Sequence, residues 1–137
     1  MKYMVCTDGE KSAAKAIEVA AQFAKISNSD LLILHVIASE VSRATPDYDS
    51  YGTQTQKAQT IINKALEITT QFAPEITVST RIAVGPVSAE IVRIAEEEGI
   101  AGIFIGTIGS SKLKKLLLGN VTDDVIHYAH CPVTLVR

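Results

Sequence analysis

Gly106 and Gly109 close an apolar run that begins at Gly102, and after nine intervening residues the segment Gly119-Asn120-Val121-Thr122 opens a helical pattern. Glycines at that spacing let the main chain turn tightly and approach a ligand with no Cβ in the way. Unpaired amide N–H groups at a helix start attract anions through their partial positive charge. The chemistry is that of a phosphate cradle built mainly from backbone. No GxxxxGK[ST] occurs, so no P-loop lysine serves it. Hydrogen bonds to a charged group contribute about 1.5 to 3 kcal/mol each and micromolar affinity needs about 8 kcal/mol, so about three or four amides plus a buried base suffice. Lys112, Lys114 and Lys115 in the nine-residue loop either add positive potential near the phosphates or form a solvated basic edge.

Other chemistry-bearing residues are weaker candidates. Asp8, in Thr7-Asp8-Gly9 after an apolar run, reads as turn chemistry or as a polar strand exit that touches a ligand. Asp123 and Asp124 could hold a water or a metal, yet favourable charge at a helix start explains both. His127 and His130 lack further ligands at suitable spacing for structural zinc, and His35 among leucines reads as a satisfied buried histidine. Cys6 and Cys131 show no CxxC spacing and read as core thiols. No catalytic set and no metal site is expected.

The elements that must position such a cradle follow from composition and period. At 137 residues the chain is expected to form one domain, residues 1–137, long enough to remove roughly 68% of its unfolded-chain surface from water. With 47% hydrophobic residues, 20% charged and a formal net charge of −2, it has neither the signature of disorder nor the basic excess of a nucleic-acid binder. The first residues offer no h-region and the longest apolar stretch, Leu31 to Ala38, falls far short of about 20 residues for a span. The expected location is the cytoplasm, with no membrane and no nucleic acid among the partners.

Five β-rich runs alternate with helical patterns: Tyr3 to Thr7, Leu31 to Ile37, Thr77 to Val84, Gly102 to Gly106 and Pro132 to Val136. Such alternation predicts an α/β fold with a parallel sheet. The third run alternates more than the others and is expected nearer an edge. Helices are predicted over Lys11 to Ile26, about Gln54 to Phe72, about Ser88 to Glu98, and Asn120 to about His130. Ser88 and Asn120 are the expected N-caps and Gly99 the expected C′ residue. Glu96, Glu97 and Glu98 oppose the dipole of the third helix. Ser39 to Thr53 is polar and aperiodic and reads as a surface loop. The final run, ahead of Arg137, is expected at a sheet edge, where an uncovered strand is an association site.

Ligands of open parallel sheets sit beyond the carboxyl ends of the strands, where the order reverses. The order 3-2-1-4-5 brings the exits of the first, second and fourth strands onto one rim, whereas the flavodoxin-like order 2-1-3-4-5 separates the first from the fourth. A resemblance decides between them. Over essentially its full length the chain resembles the universal stress protein family, whose nucleotide pattern is G-x-x-G, nine residues, G-[S/T]. Gly106, Gly109 and Gly119 occupy it at that spacing, and KLKKLLLGNVTDDVIHYAHCPVTLVR is similar to the family's ending.

The resemblance implies an open Rossmann-like five-stranded parallel sheet of order 3-2-1-4-5 with helices on both faces. It also implies a regulatory stress-response protein that binds ATP, or ADP or AMP, with Mg2+, and forms a homodimer through the C-terminal edge strand. By position, Thr7 and Asp8 would meet the adenosine part and Val36 would offer backbone groups to adenine. Ile105 and Gly106 would line the ribose side, and Gly109, Gly119, Asn120, Val121 and Thr122 would hold the phosphates. The chain departs from the pattern in Asn120, where the family has Ser or Thr. It departs again in Gly85-Pro86-Val87 for Gly-x-Pro, and in Ala101-Gly102 for the acidic residue before the fourth strand. Slow ATP hydrolysis and a nucleotide-independent interaction module are the alternatives.

Overall fold

The computed structural model describes residues 1–39, 48–107 and 118–137. Strands β1 (Lys2–Cys6), β2 (Asp30–Ala38), β3 (Val78–Gly85), β4 (Gly102–Gly106) and β5 (Val133–Val136) alternate with helices α1 (Lys11–Ile26), α2 (Tyr48–Phe72), α3 (Val87–Glu97) and α4 (Leu118–Tyr128). All four strand pairs are parallel, in the order β3-β2-β1-β4-β5. The Rossmann-like order expected from the resemblance is the one found, and the alternating third run forms an edge strand.

The two faces of the sheet carry separate cores. Val5, Leu31, Ile33 and Phe104 meet Ala16, Ile17 and Ala20 of α1 and Ile62 and Ala65 of α2. On the opposite face Met4, Leu32, Leu34, Ile103 and Ile105 meet Ile91, Ile94 and Ala95 of α3 and Val125 of α4. The period of two along each strand explains the division, since successive side chains point to opposite faces. Small side chains set the depth of α1. A Cβ on Gly106 would lie 2.3 Å from the carbonyl oxygen of Ser12, so the first turn of α1 rests directly on the end of β4.

Helix ends follow local chemistry. α1 and α3 both stop in a left-handed residue, Asn28 (φ 52°) and Gly99 (φ 63°). In each, the next N–H reaches back to close the helix, Ser29 N–H to the Ala24 carbonyl and Ile100 N–H to the Ala95 carbonyl, both at 2.9 Å. Gly99 thus has the role its position predicts. The acidic turn before it is held by cations of two strands and of the helix itself: Glu98 pairs with Lys2 (3.0 Å) and Arg81 (3.3 Å), and Glu97 with Arg81 (3.2 Å) and with Arg93 of α3 (2.7 Å).

Three helix starts differ from expectation. Pro86, with extended backbone, precedes α3, so Ser88 lies inside the helix and its Oγ donates to Asp124 Oδ2 at 3.4 Å. Asn120 is the third residue of α4 and not its N-cap. α2 begins at Tyr48, so the end of the supposed loop is helical; residues 40–47 lie outside the described residues. The sequence YDSYGT carries no apolar stripe, and a helix that propagates into such a segment leaves no period to read. Among the described residues no helix is long and apolar enough to cross a membrane.

Candidate nucleotide cleft

The cleft begins where β1 stops and β2 does not. Cys6, the last residue of β1, pairs with Leu34, while β2 continues beside β3 as far as Ala38. Hydrogen-bond parity shows what this overhang exposes. Odd residues of β2 bond β3: Leu31 N–H donates to Thr77 and Ser39 N–H to Gly85. Even residues bond β1: Asp30 N–H donates to Met1, and the Leu34 carbonyl accepts from Thr7 N–H at 2.9 Å. Val36 and Ala38 are even, so their N–H and carbonyl groups point past the end of β1 into a space that no strand of the described residues fills.

That space is a cleft of about 480 Å3. Thr7 and Asp8 border it from the β1 exit, Val36 from β2, Ile105 and Gly106 from β4, and Val121 and Thr122 from α4. Seven of the ten site residues expected from sequence therefore share one cavity. Gly119 and Asn120 lie in the first turn of α4. Gly109 lies outside the described residues, as do Lys112, Lys114 and Lys115.

Thr122 is the polar residue with an unmet requirement. It is 6% exposed, and its Oγ1 has no hydrogen-bond partner among the described residues. A buried hydroxyl left unpaired costs about 1–3 kcal/mol. Asp8 is less free. Its Oδ1 accepts from Glu10 N–H at 2.9 Å, and Gly9, at φ +85°, donates its N–H to Thr7 Oγ1 at 3.2 Å. One carboxylate oxygen therefore serves the turn. His35 is half-buried, not buried, and satisfied as expected: its Nδ1 lies 2.7 Å from the Thr7 carbonyl, which can only accept, so Nδ1 carries the hydrogen.

Several lining residues escape a reading of strand exits. Leu34 and Ala38 share the parity of Val36, and Val87 and Ile91 bring the start of α3 to the wall. Cys6 also lines the cleft, and burial pushes its thiol up to about 12. Parity along β2 was the available signal for the first pair; apolar helix residues carry none that separates lining from core. The walls are thus mostly apolar, with backbone groups, Thr122 and the Asp8 turn supplying polarity at the rim.

A second depression of about 480 Å3 lies between α3 and α4, beside Ser88, Val92, Arg93 and Tyr128. Its one lining cation is already engaged, because Arg93 pairs with Glu90 at 2.6 Å and with Glu97 at 2.7 Å. His127 packs edge-on against Tyr128, with ring centroids 4.6 Å apart.

Comparison with known proteins agrees in sequence and in fold. A family model described as the universal stress protein family matches residues 1–137. The universal stress protein YxiE of Bacillus subtilis is 32% identical over 148 aligned residues, which cover 99% of this chain and 98% of that protein. A universal stress protein solved in complex with cAMP superposes with a TM-score of 0.79 at 23% identity, over 100% of this chain and 96% of that one. The universal stress protein of Archaeoglobus fulgidus in complex with dAMP gives 0.77 at 21% identity, over 100% and 98%.

Proposed function

The chain belongs to the universal stress protein family, and on that premise we propose that it binds an adenine nucleotide, ATP or its ADP or AMP counterpart, as a regulatory stress-response protein. The observation that carries this reading is the unpartnered, buried Oγ1 of Thr122, set in the same cleft as the open main-chain edge of Val36. The two supply what a nucleotide presents at its two ends. A strand edge offers one donor and one acceptor, which matches the ring nitrogen and exocyclic amine of adenine. A hydroxyl beside the first turn of a helix suits a phosphate oxygen.

In this reading Thr7 and Asp8 meet the adenosine part, with Asp8 Oδ2 as an acceptor for ribose hydroxyls. Ile105 and Gly106 border the sugar. Gly109, Gly119, Asn120, Val121 and Thr122 hold the phosphates, with Mg2+ accompanying them. The apolar wall of Leu34, Val87 and Ile91 takes the base out of water. The cAMP and dAMP complexes of proteins sharing the fold support an adenine ligand.

The protein is assigned to the cytoplasm, where Cys6 and Cys131 stay as thiols, and to a homodimer joined along β5. Leu135 of that strand is an exposed large hydrophobic residue, at 43%. Calorimetric titration with ATP, ADP and AMP tests the function: binding of at least one at micromolar to millimolar concentration is expected, and binding of none by folded protein overturns the assignment in favour of an interaction module. Phosphate release that Asp123→Asn or Asp124→Asn abolishes, with ATP binding retained, would move the protein to the hydrolase class.

A further inference from the structure

We propose that His35 is a positioning residue that keeps the Val36 main-chain edge open for the ligand. The inference starts from an interruption in the sheet. Thr7 N–H donates to the Leu34 carbonyl, so the next rung of a parallel ladder would run from Val36 N–H to the Thr7 carbonyl. That rung is not made. The Thr7 carbonyl accepts instead from His35 Nδ1–H at 2.7 Å, and the paired register of β1 with β2 ends at Cys6 and Leu34.

The substitution of one donor for another has two effects. First, it satisfies a carbonyl at the strand exit that would otherwise draw the Val36 amide onto itself and shut the donor half of the β2 edge. Second, it fixes the residue directly before Asp8, from which the Asx turn to Glu10 and the left-handed Gly9 follow. His35 itself is absent from the cleft wall, because odd residues of β2 point to the face covered by α1 and α2, as Ile33 does. It acts from behind the site. This distinguishes it from a residue that touches the nucleotide, and it gives His35 a purpose beyond filling the core.

The test is amide hydrogen exchange of the free protein, combined with titration of ATP and of tripolyphosphate, which has the anionic tail and no base. In the native protein the Val36 amide should exchange at least about tenfold faster than the Leu34 amide. His35→Leu should slow Val36 exchange as the rung closes, and should lower ATP affinity about tenfold while leaving tripolyphosphate affinity within about twofold. His35→Asn, whose side-chain N–H occupies the place of Nδ1, should restore both readings. His35→Gln, which reaches the place of Nε2, should not.

A residue that merely stabilised the fold would do the opposite on loss, speeding exchange and weakening both ligands together. Protection of Val36 in the native protein, or unchanged or faster exchange in His35→Leu, overturns the proposal. If His35→Leu fails to fold, the native exchange rates and the Asn and Gln pair still decide it. The ligand arm rests on the nucleotide reading, but the exchange arm does not. Failure of ATP to bind therefore refutes that reading and leaves the role of His35 to be judged by Val36 alone.

Discussion

Thr122 separates stability from binding at a single atom. Replacing its hydroxyl by a methyl in Thr122→Val keeps the shape and removes an unpaired buried oxygen, which should stabilise the free protein by about 1 kcal/mol. The same change should weaken ATP about tenfold, and opposite movements of melting temperature and affinity are the signature to look for. Gly106 answers to a different demand. Gly106→Ala drives a Cβ into the backbone of Ser12, so it should destabilise by about 1–3 kcal/mol or more in urea unfolding. Part of the glycine pattern therefore reports the seating of α1 and not the approach of a ligand. Cys6 carries a pH dependence of its own. Its folded value of about 12 stands above the ordinary 9.0, so its contribution is fully present below pH 9 and is lost as pH rises toward 12. Melting curves between pH 8 and 11 should fall more steeply for the native protein than for Cys6→Ala, and iodoacetamide at pH 8 should modify Cys131 before Cys6.

The C-terminal turn of α3 runs against its own dipole, and the strands compensate. Lys2 of β1 and Arg81 of β3 bring positive charge to Glu98, and the Lys2 hydrogen bond, followed by its charge, holds that carboxyl below the usual range. A lowered carboxyl value gives stability that is present above the ordinary range and lost as pH falls through the folded value. Glu98→Gln should therefore flatten the acid limb of urea midpoints measured from pH 7 to 3, more at low salt than at high. These pairs cross between elements, so no sequence window contains them, although Glu96, Glu97 and Glu98 were visible as an anomaly. α1 was legible to its ends because its alanines and Ile17 recur at helical spacing. The strand order was not, since alternating strands and helices fit two arrangements and the resemblance to a family decided between them. In the cleft, Thr7, Asp8 and Gly106 stood out as strand exits, and Ile105 came from the resemblance. Val87 and Ile91 did not, because an apolar residue that lines a cavity looks in sequence like one that fills a core.

At the scale of the molecule, the sheet is covered on both faces, and β3 and β5 are its outer strands. β3 exposes the polar Ser79 and Thr80, whereas β5 exposes the apolar Leu135. A dimer through β5 should sediment as twice the chain mass at tens of micromolar, and Leu135→Lys should return it to the monomer. Persistence of the dimer in that variant would place the contact elsewhere. The overhang of β2 beyond β1 has a different reach. Peptide groups are common to every residue, so exchanging Val36 or Ala38 for another β-forming side chain leaves the hydrogen-bonding edge in place, and only proline deletes a donor there. Selection on ligand recognition would then act on the path of the chain and leave the letters at these positions free to drift.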